Sequence, residues 1–374
     1  MQVRYDKNLL LRGRMRKKLV VSGLVVILLI LGLIIAWPFL IDKAIKSQGK
    51  AIIDRFQYQL LKDGKLHVIT VGTGTPIANP GRAQSCVAVI ADGVFFMIDA
   101  GAGAAQQADL IGLPLSELQI VFLTHLHSDH MADLPLVASK GWRFGREIPL
   151  HIYGPIGTEA MMDALNRAHR PDREYRYANI KDFAAPLEIA EPIGHDLETP
   201  ESTEKKLVYQ FENGLKVYMF AVEHAPVEPA FGFRIEYKGR VIVISGDTKA
   251  SENMVRHSQG ADLLIHEAFN KNLVNRVLAL TADDPSVISK KSARISQKLG
   301  KQVQKYHTSP VEAANIAARA GVKKLVLTHI DPPLGPLIPR HLVTQAFFLK
   351  GISDVYDREV VIAEDGMSFE FELK

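Results

Sequence analysis

The sequence predicts an α/β fold of layered sheets covered by helices, preceded by one transmembrane helix. Three observations carry this. From Lys65 onward, strand-like segments form hairpins and alternate with helical ones. Residues 19–41 carry no charge and are almost wholly apolar. The loop His125-Leu126-His127-Ser128-Asp129-His130 directly follows the apolar run Ile120-Val121-Phe122-Leu123, as a ligand-bearing loop capping a buried strand would.

From the N-terminus, residues 1–18 form a basic cytoplasmic segment and 19–41 the membrane anchor; 42–64 form a polar helical stalk and 65–374 the large domain. At ~1.5 Å per residue, the apolar run spans the ~30 Å hydrocarbon core of a bilayer. Arg12, Arg14, Arg16, Lys17 and Lys18 keep its N-terminal side in the cytoplasm. The large domain is then expected on the periplasmic or extracellular face of the inner (cytoplasmic) membrane. Lys43, Lys46 and Lys50 reduce that asymmetry. Trp37-Pro38-Phe39-Leu40 reads as an interfacial belt rather than a cleavage site, so the expectation is an uncleaved single-pass signal anchor.

The net charge of +4 combines +8 in residues 1–55 with −4 in residues 56–374. The basic character thus belongs to the anchor, and on that ground nucleic acid is not expected as a partner. The single Cys86 excludes an internal disulfide.

Within the large domain, residues 66–71 alternate into the turn Gly72-Thr73-Gly74-Thr75-Pro76. Residues 86–90 and 94–98 form a hairpin around Asp92-Gly93. A helix over 104–110 precedes strands at 119–123 and 150–153, and Gly154-Pro155 leads to a helix over 157–169. Strands follow at 207–211, 215–222, 231–237, 241–245, 263–265, 325–327 and 360–362, with a helix at 310–320. Residues 196–206 read as a charged surface loop. Residues 270–306 form a polar insertion, basic towards its C-terminal end, read as a solvated helical flap rather than a binding arm.

The chemistry begins at the histidine loop. Neutral imidazole and carboxylate are the ligands borderline divalent metals prefer. Residues two apart on extended backbone point to one side, so His125 and His127 reach a common ion, with Asp129 and His130 beside a second. Three more metal-type residues end predicted strands: His224, Asp247 and His329. Gly72-Thr73-Gly74 is not a dinucleotide loop, because Ile77 stands where the third glycine belongs. His67, His151, His169, His195, His257 and His341 are read as structural or surface residues.

These motifs resemble the metallo-β-lactamase-fold hydrolases, over roughly residues 65–374. The likeness rests on Gly72-Thr-Gly-Thr-Pro76, Ile98-Asp-Ala-Gly101, the histidine loop, Val222-Glu-His224, Ser245-Gly-Asp-Thr248 and Leu327-Thr-His329. Tyr153-Gly-Pro-Ile-Gly-Thr158, Ile265-His-Glu-Ala268 and His307-Thr-Ser-Pro310 resemble the ribonuclease Z and arylsulfatase-like branch, as does the run from His224 to Tyr237. The resemblance implies an αββα sandwich and a dinuclear zinc site, with Mn2+ or Fe2+ as substitutes. His125, His127 and His224 would hold one ion, Asp129, His130 and His329 the other, and Asp247 would bridge them. Asp129 would also serve as a catalytic carboxylate, and Asp99 would orient a ligand imidazole. The resemblance further places His266, Glu267 and His307 near the metals, with His307 donating a proton to the leaving oxygen and Glu267 tuning it.

The leading expectation is a membrane-anchored dinuclear zinc hydrolase of small anionic esters, an arylsulfatase-like sulfate or phosphate ester hydrolase. The alternative is a ribonuclease Z-type transfer-RNA 3′-processing endonuclease. Against it, the tight turn Tyr237-Lys238-Gly239-Arg240 leaves no room for a basic RNA arm. Lactone or thioester hydrolysis and a non-catalytic metal-stabilised scaffold are further alternatives. Branch relatives imply a homodimer.

Overall fold

The computed structural model describes residues 7–283, 290–333 and 347–374, so His341 lies outside the described residues. It divides into two units, Met1–Phe56 and Gln57–Lys374. The first is one helix, α1 (Lys7–Asp54), continuous through the apolar run and most of the predicted stalk. Its stretch Val26–Ala51 is long and apolar enough to cross a membrane and is not buried. The stalk boundary is therefore corrected. Residues 57–64 belong to the second unit, where Leu60 and Leu61 are buried and Gln57 N–H donates to the Gly112 carbonyl.

The second unit holds two seven-stranded sheets among the described residues. The first contains β1 (Lys65–Gly72), β2 (Cys86–Ala91), β3 (Val94–Ile98), β4 (Ile120–Phe122), β5 (His151–Pro155) and β6 (Ile193–Leu197). The second contains β7 (Lys205–Gln210), β8 (Lys216–Ala221), β9 (Phe231–Tyr237), β10 (Arg240–Ile244), β11 (Leu263–Phe269), β12 (Lys324–Asp331) and β13 (Glu359–Ile362). β14 (Met367–Glu372) returns to the first sheet beside β1. Their orders are β14-β1-β2-β3-β4-β5-β6 and β13-β12-β11-β10-β9-β8-β7. Each is antiparallel in one half and parallel in the other: β3 to β6 run parallel, as do β10 to β13.

The helices are α2 (Ala104–Ile111), α3 (Ser128–Met131), α4 (Leu134–Arg143), α5 (Thr158–Ile180), α6 (Glu252–His257), α7 (Lys271–Asp283), α8 (Lys290–Val303) and α9 (Pro310–Arg319). The layering follows from strand alternation. Val68, Val89, Phe96 and Phe122 meet Phe231, Phe233, Ile242 and Ile265 between the sheets. The opposite faces pack on helices: Ile69, Ala88 and Val121 on α2 and α4, and Val243, Leu264 and Leu325 on α6 and α9. This is the αββα sandwich.

Phe122 sits at the centre of it, against Phe96, Tyr153 and Phe233 at ring distances of 5.6, 5.7 and 5.6 Å. Truncating such a residue costs about 3–5 kcal/mol, and here it would loosen the strand directly beneath the histidine loop.

Three other expectations shift. The loop read over 196–206 is shorter, because Asp196 and Leu197 end β6 and Lys205 and Lys206 begin β7. The helix predicted over 157–169 continues through Pro171 to Ile180. The insertion 270–306 contains α7 and α8, packed on each other.

Candidate metal centre

Strand direction brings the site together. β3 and β4 end at Asp99 and at the histidine loop, while β8, β10 and β12 point the same way and end at or beside His224, Asp247 and His329. Two groups of ligand-type atoms result, with a third (Glu267, His307 and His329) beside them, each with all its members within 4.8 Å of one another. The first is His125, His127, His224 and Asp247; the second is Asp129, His130, Asp247 and His329. Asp247 belongs to both. Its Oδ2 lies 4.0 Å from His125 Nε2, 3.9 Å from His224 Nε2 and 3.5 Å from His329 Nε2. Its Oδ1 lies 3.5 Å from His130 Nε2. Gly246 just before it has φ 62°, and a Cβ there would stand 2.7 Å from the Phe231 carbonyl oxygen. Only glycine fits.

The imidazoles are aimed from behind. Asp99, itself in the left-handed region at φ 61°, accepts from the Thr124 N–H at 2.8 Å and from the Thr124 hydroxyl at 2.9 Å. It also accepts from His130 Nδ1 at 2.8 Å. His224 Nδ1–H donates to the Tyr306 carbonyl at 3.3 Å. With both Nδ1 positions engaged, the Nε2 atoms of His130 and His224 are buried and have no hydrogen-bond partner.

An unpartnered buried nitrogen is costly, and here, where both face Asp247, coordination accounts for it. Burial keeps His125 well below its ordinary pKa and lowers His127 and His224, leaving the neutral form a metal requires. Burial opposes charge on Asp247 too, yet His329 and His130 hold its pKa well below the usual range. The same carboxylates raise His130 and His329 against burial, so the centre favours positive charge, carried by protons on these rings or by a cation in their place, and N/O donors in this ratio suit zinc-like cations. The residues fit a metal.

Beside this centre stands a second constellation. Glu267 Oε1 accepts from His307 Nδ1 at 2.8 Å and from the Thr248 N–H at 2.9 Å. Burial would depress the His307 pKa, but the Glu267 carboxylate wins and raises it to about 9. The His307 ring lies 5.8 Å from that of His329 and 5.2 Å from that of His224. Ser309 fixes this segment by capping α9. Its hydroxyl accepts from the Glu312 N–H while the Glu312 carboxylate accepts from the Ser309 N–H, a reciprocal box worth about 1 kcal/mol.

The structure brings ten of the sequence-predicted residues to this end of the sandwich: the seven of the two groups, with Asp99, Glu267 and His307. It does not bring His266. Along β11 that side chain shares the helix-facing side with Leu264 and Ala268, and its Nδ1 bonds the Glu267 carbonyl at 2.8 Å. Glu267 faces the opposite way, with Ile265.

Sequence reasoning missed two groups. Tyr306 acts on His224 through its carbonyl, which every residue possesses, so no side-chain signal could have marked it. Asp331, two residues beyond His329, is pushed up to about 6 by burial. Its position at the end of a ligand-bearing strand was the available signal.

Two mixed sheets between helix layers, with histidine and aspartate clusters at the strand ends, define a hydrolase of the metallo-β-lactamase fold. The Beta-lactamase superfamily domain matches residues 95–330. Ribonuclease Z of Mycobacterium bovis is 34% identical over 274 residues, which is 72% of this chain and 88% of that protein. Ribonuclease Z of Mycolicibacterium paratuberculosis is 35% identical over 272 residues, 72% of this chain and 87% of that protein. Human tRNase Z, short form, superposes with TM-score 0.56 at 24% identity over 81% of this chain and 98% of its own. A metallo-beta-lactamase fold protein of Bacillus subtilis, YhfI, gives 0.54 at 21% identity, covering 82% and 100%. The chain belongs to the beta-lactamase superfamily and, within it, to the ribonuclease Z family.

These relatives overturn the small-ester, arylsulfatase-like expectation, since proteins matched over most of the chain are named ribonucleases. They equally overturn the exclusion of nucleic acid. The physical error was to treat net charge as uniform: residues 56–374 sum to −4, yet residues 290–305 contain six Lys and Arg and no acid.

Proposed function

We propose that this protein is a metal-dependent endonuclease of the ribonuclease Z type, hydrolysing a phosphodiester bond on the 3′ side of transfer RNA. The carrying observation is the 34% identity to ribonuclease Z over 72% of the chain, joined to seven ligand-type residues gathered at one centre. His125, His127 and His224 would hold one zinc ion, Asp129, His130 and His329 a second, and Asp247 both. When bound, such a pair supplies activation of a water and neutralisation of the phosphate's negative charge.

The chain's own residues do the rest. Asp99 and the Tyr306 carbonyl fix the tautomers of His130 and His224. Glu267 keeps His307 protonated at neutral pH. As the water oxygen attacks phosphorus and the bond to the leaving ribose oxygen breaks, His307 Nε2 gives that oxygen its proton.

Residues 19–41 are proposed as a single-pass anchor. The RNA reading requires the catalytic unit on the cytoplasmic side, with Lys43, Lys46 and Lys50 as the retained cations. This is the reverse of the orientation expected from Arg12 to Lys18. Purified full-length protein should cut a precursor transfer RNA at its 3′ side, and chelation should abolish the cut. A reporter fused after Lys374 that is active only outside the cytoplasm would defeat the reading.

A further inference from the structure

We infer that α8 and the adjoining Tyr306 form the surface that holds the RNA strand leading to the metal centre. The inference rests on the ribonuclease reading and names the part of the chain that recognises its substrate.

Lys291, Arg294, Lys298 and Lys301 are all exposed on α8. Their spacing of three, four and three residues puts them in one stripe along the helix, about 15 Å long at ~1.5 Å per residue. The helix is held by another face: Gly300 packs so closely on Leu278 of α7 that a Cβ there would lie 2.4 Å from it, and Gln304 donates to Asn275 at 2.8 Å. The stripe is thus left to solvent.

Several other cations of this unit are neutralised by carboxylates, as in Lys249–Glu223, Lys205–Glu236, Lys324–Glu359 and Arg319–Glu252. Among the described residues, no carboxylate pairs with the four on α8. An unneutralised row of cations on an otherwise negative unit is a site for a polyanion.

The row is also aimed. α8 runs through exposed Lys305 into Tyr306 and then His307. The Tyr306 ring stands edge-on to His224 at 5.1 Å and, with Lys249, Lys305, Val222 and Pro229, lines a cleft of about 700 Å³. A half-buried ring in a cleft beside the reacting centre is a platform for one base, and stacking tolerates any base. Phosphates along α8 and a base on Tyr306 describe a single strand entering the metal centre. On this inference residues 270–306, read as a solvated helical flap, would also carry a binding surface.

Ile295 and Leu299, 55% and 58% exposed beside the stripe, fit an anionic bilayer as well as they fit RNA. A bilayer gives no account of the aromatic ring in a concave cleft next to His307, so RNA is favoured.

The test uses full-length, zinc-loaded protein and compares cleavage of precursor transfer RNA with hydrolysis of bis(p-nitrophenyl) phosphate. In the combined variant Lys291→Gln, Arg294→Gln, Lys298→Gln, Lys301→Gln, the ratio of RNA to small-diester kcat/KM should fall at least tenfold, mainly through KM. Losing four phosphate contacts should flatten the log–log salt dependence of RNA binding by about three. Tyr306→Ala should lower RNA kcat/KM about tenfold at unchanged zinc content, and Tyr306→Phe should restore it.

Wild-type cleavage of RNA with the ratio and salt slope unmoved in the combined variant overturns the inference alone. Loss of binding to phosphatidylglycerol vesicles in that variant, with RNA kinetics unmoved, assigns the stripe to membrane and also overturns it. A wild type that hydrolyses the small diester but no RNA overturns the ribonuclease reading and this inference together.

Discussion

Two carboxylate–imidazole pairs in this molecule share one geometry and differ in what lies beyond the ring. Asp99 meets His130 Nδ1 at 2.8 Å, and Glu267 meets His307 Nδ1 at 2.8 Å. The far nitrogen of His130 is buried and lies 3.5 Å from both Asp129 and Asp247. His307 is tied to the segment that enters the cleft and belongs to a different group, with Glu267 and His329. The carboxylate sets the tautomer in both cases. On the proposed reading, what faces Nε2 would decide whether the ring holds a cation or hands over a proton.

Removing what the first pair serves should have the largest effect. Asp247→Ala should lower zinc content by plasma emission and bring RNA cleavage to background, a loss beyond the ~10²-fold typical of an outer orienting group. His307→Ala should reduce kcat by about 10²–10⁴-fold with zinc content intact. Zinc loss in that variant would make His307 a ligand and erase the distinction between the pairs. Asp99→Asn should weaken zinc affinity about 10–100-fold in a competition titration, without changing the basic limb of the pH profile.

Glu267→Gln should do the reverse. The donor form of His307 is needed, so activity falls as pH rises through its pKa of about 9. Without the Glu267 charge, burial is opposed only by the more distant Asp247 and Asp331, so that limb should move to lower pH and activity at pH 8 should fall. The same proton stabilises the wild-type fold fully below about pH 6.5, a contribution lost as pH rises through about 9. Smallest of all, His266→Leu should leave kcat within about twofold, because its unpartnered Nε2 sits in an apolar layer where a same-sized apolar group is close to neutral.

His266 also shows where sequence and structure part. A motif places His266 and Glu267 together, but successive residues of a strand face opposite sides, so only one can reach the site. The ligands were legible because metal chemistry restricts residue type and strand ends recur at Asp99, His224, Asp247 and His329. Buried strands were legible by their apolar runs, and the β2–β3 hairpin by Asp92-Gly93, both at positive φ. β6 was not, since Ile193-Gly-His-Asp-Leu197 is too polar to announce an edge strand. α5 was cut short because Pro171 reads as a stop, whereas tertiary packing carries the helix past it. The choice of substrate was misjudged from a summed charge, which has no direction.

Tyr306 occupies two places at once. Its carbonyl steadies His224 while its ring forms a wall of the cleft. On the proposed reading, a base resting on that ring would press on the frame of a metal ligand, and an ion drawn to His224 would stiffen the platform under the base. Linkage makes the exchange reciprocal: whatever factor RNA adds to zinc affinity, zinc must return to RNA. The enzyme would then be most completely assembled when its substrate is already in hand.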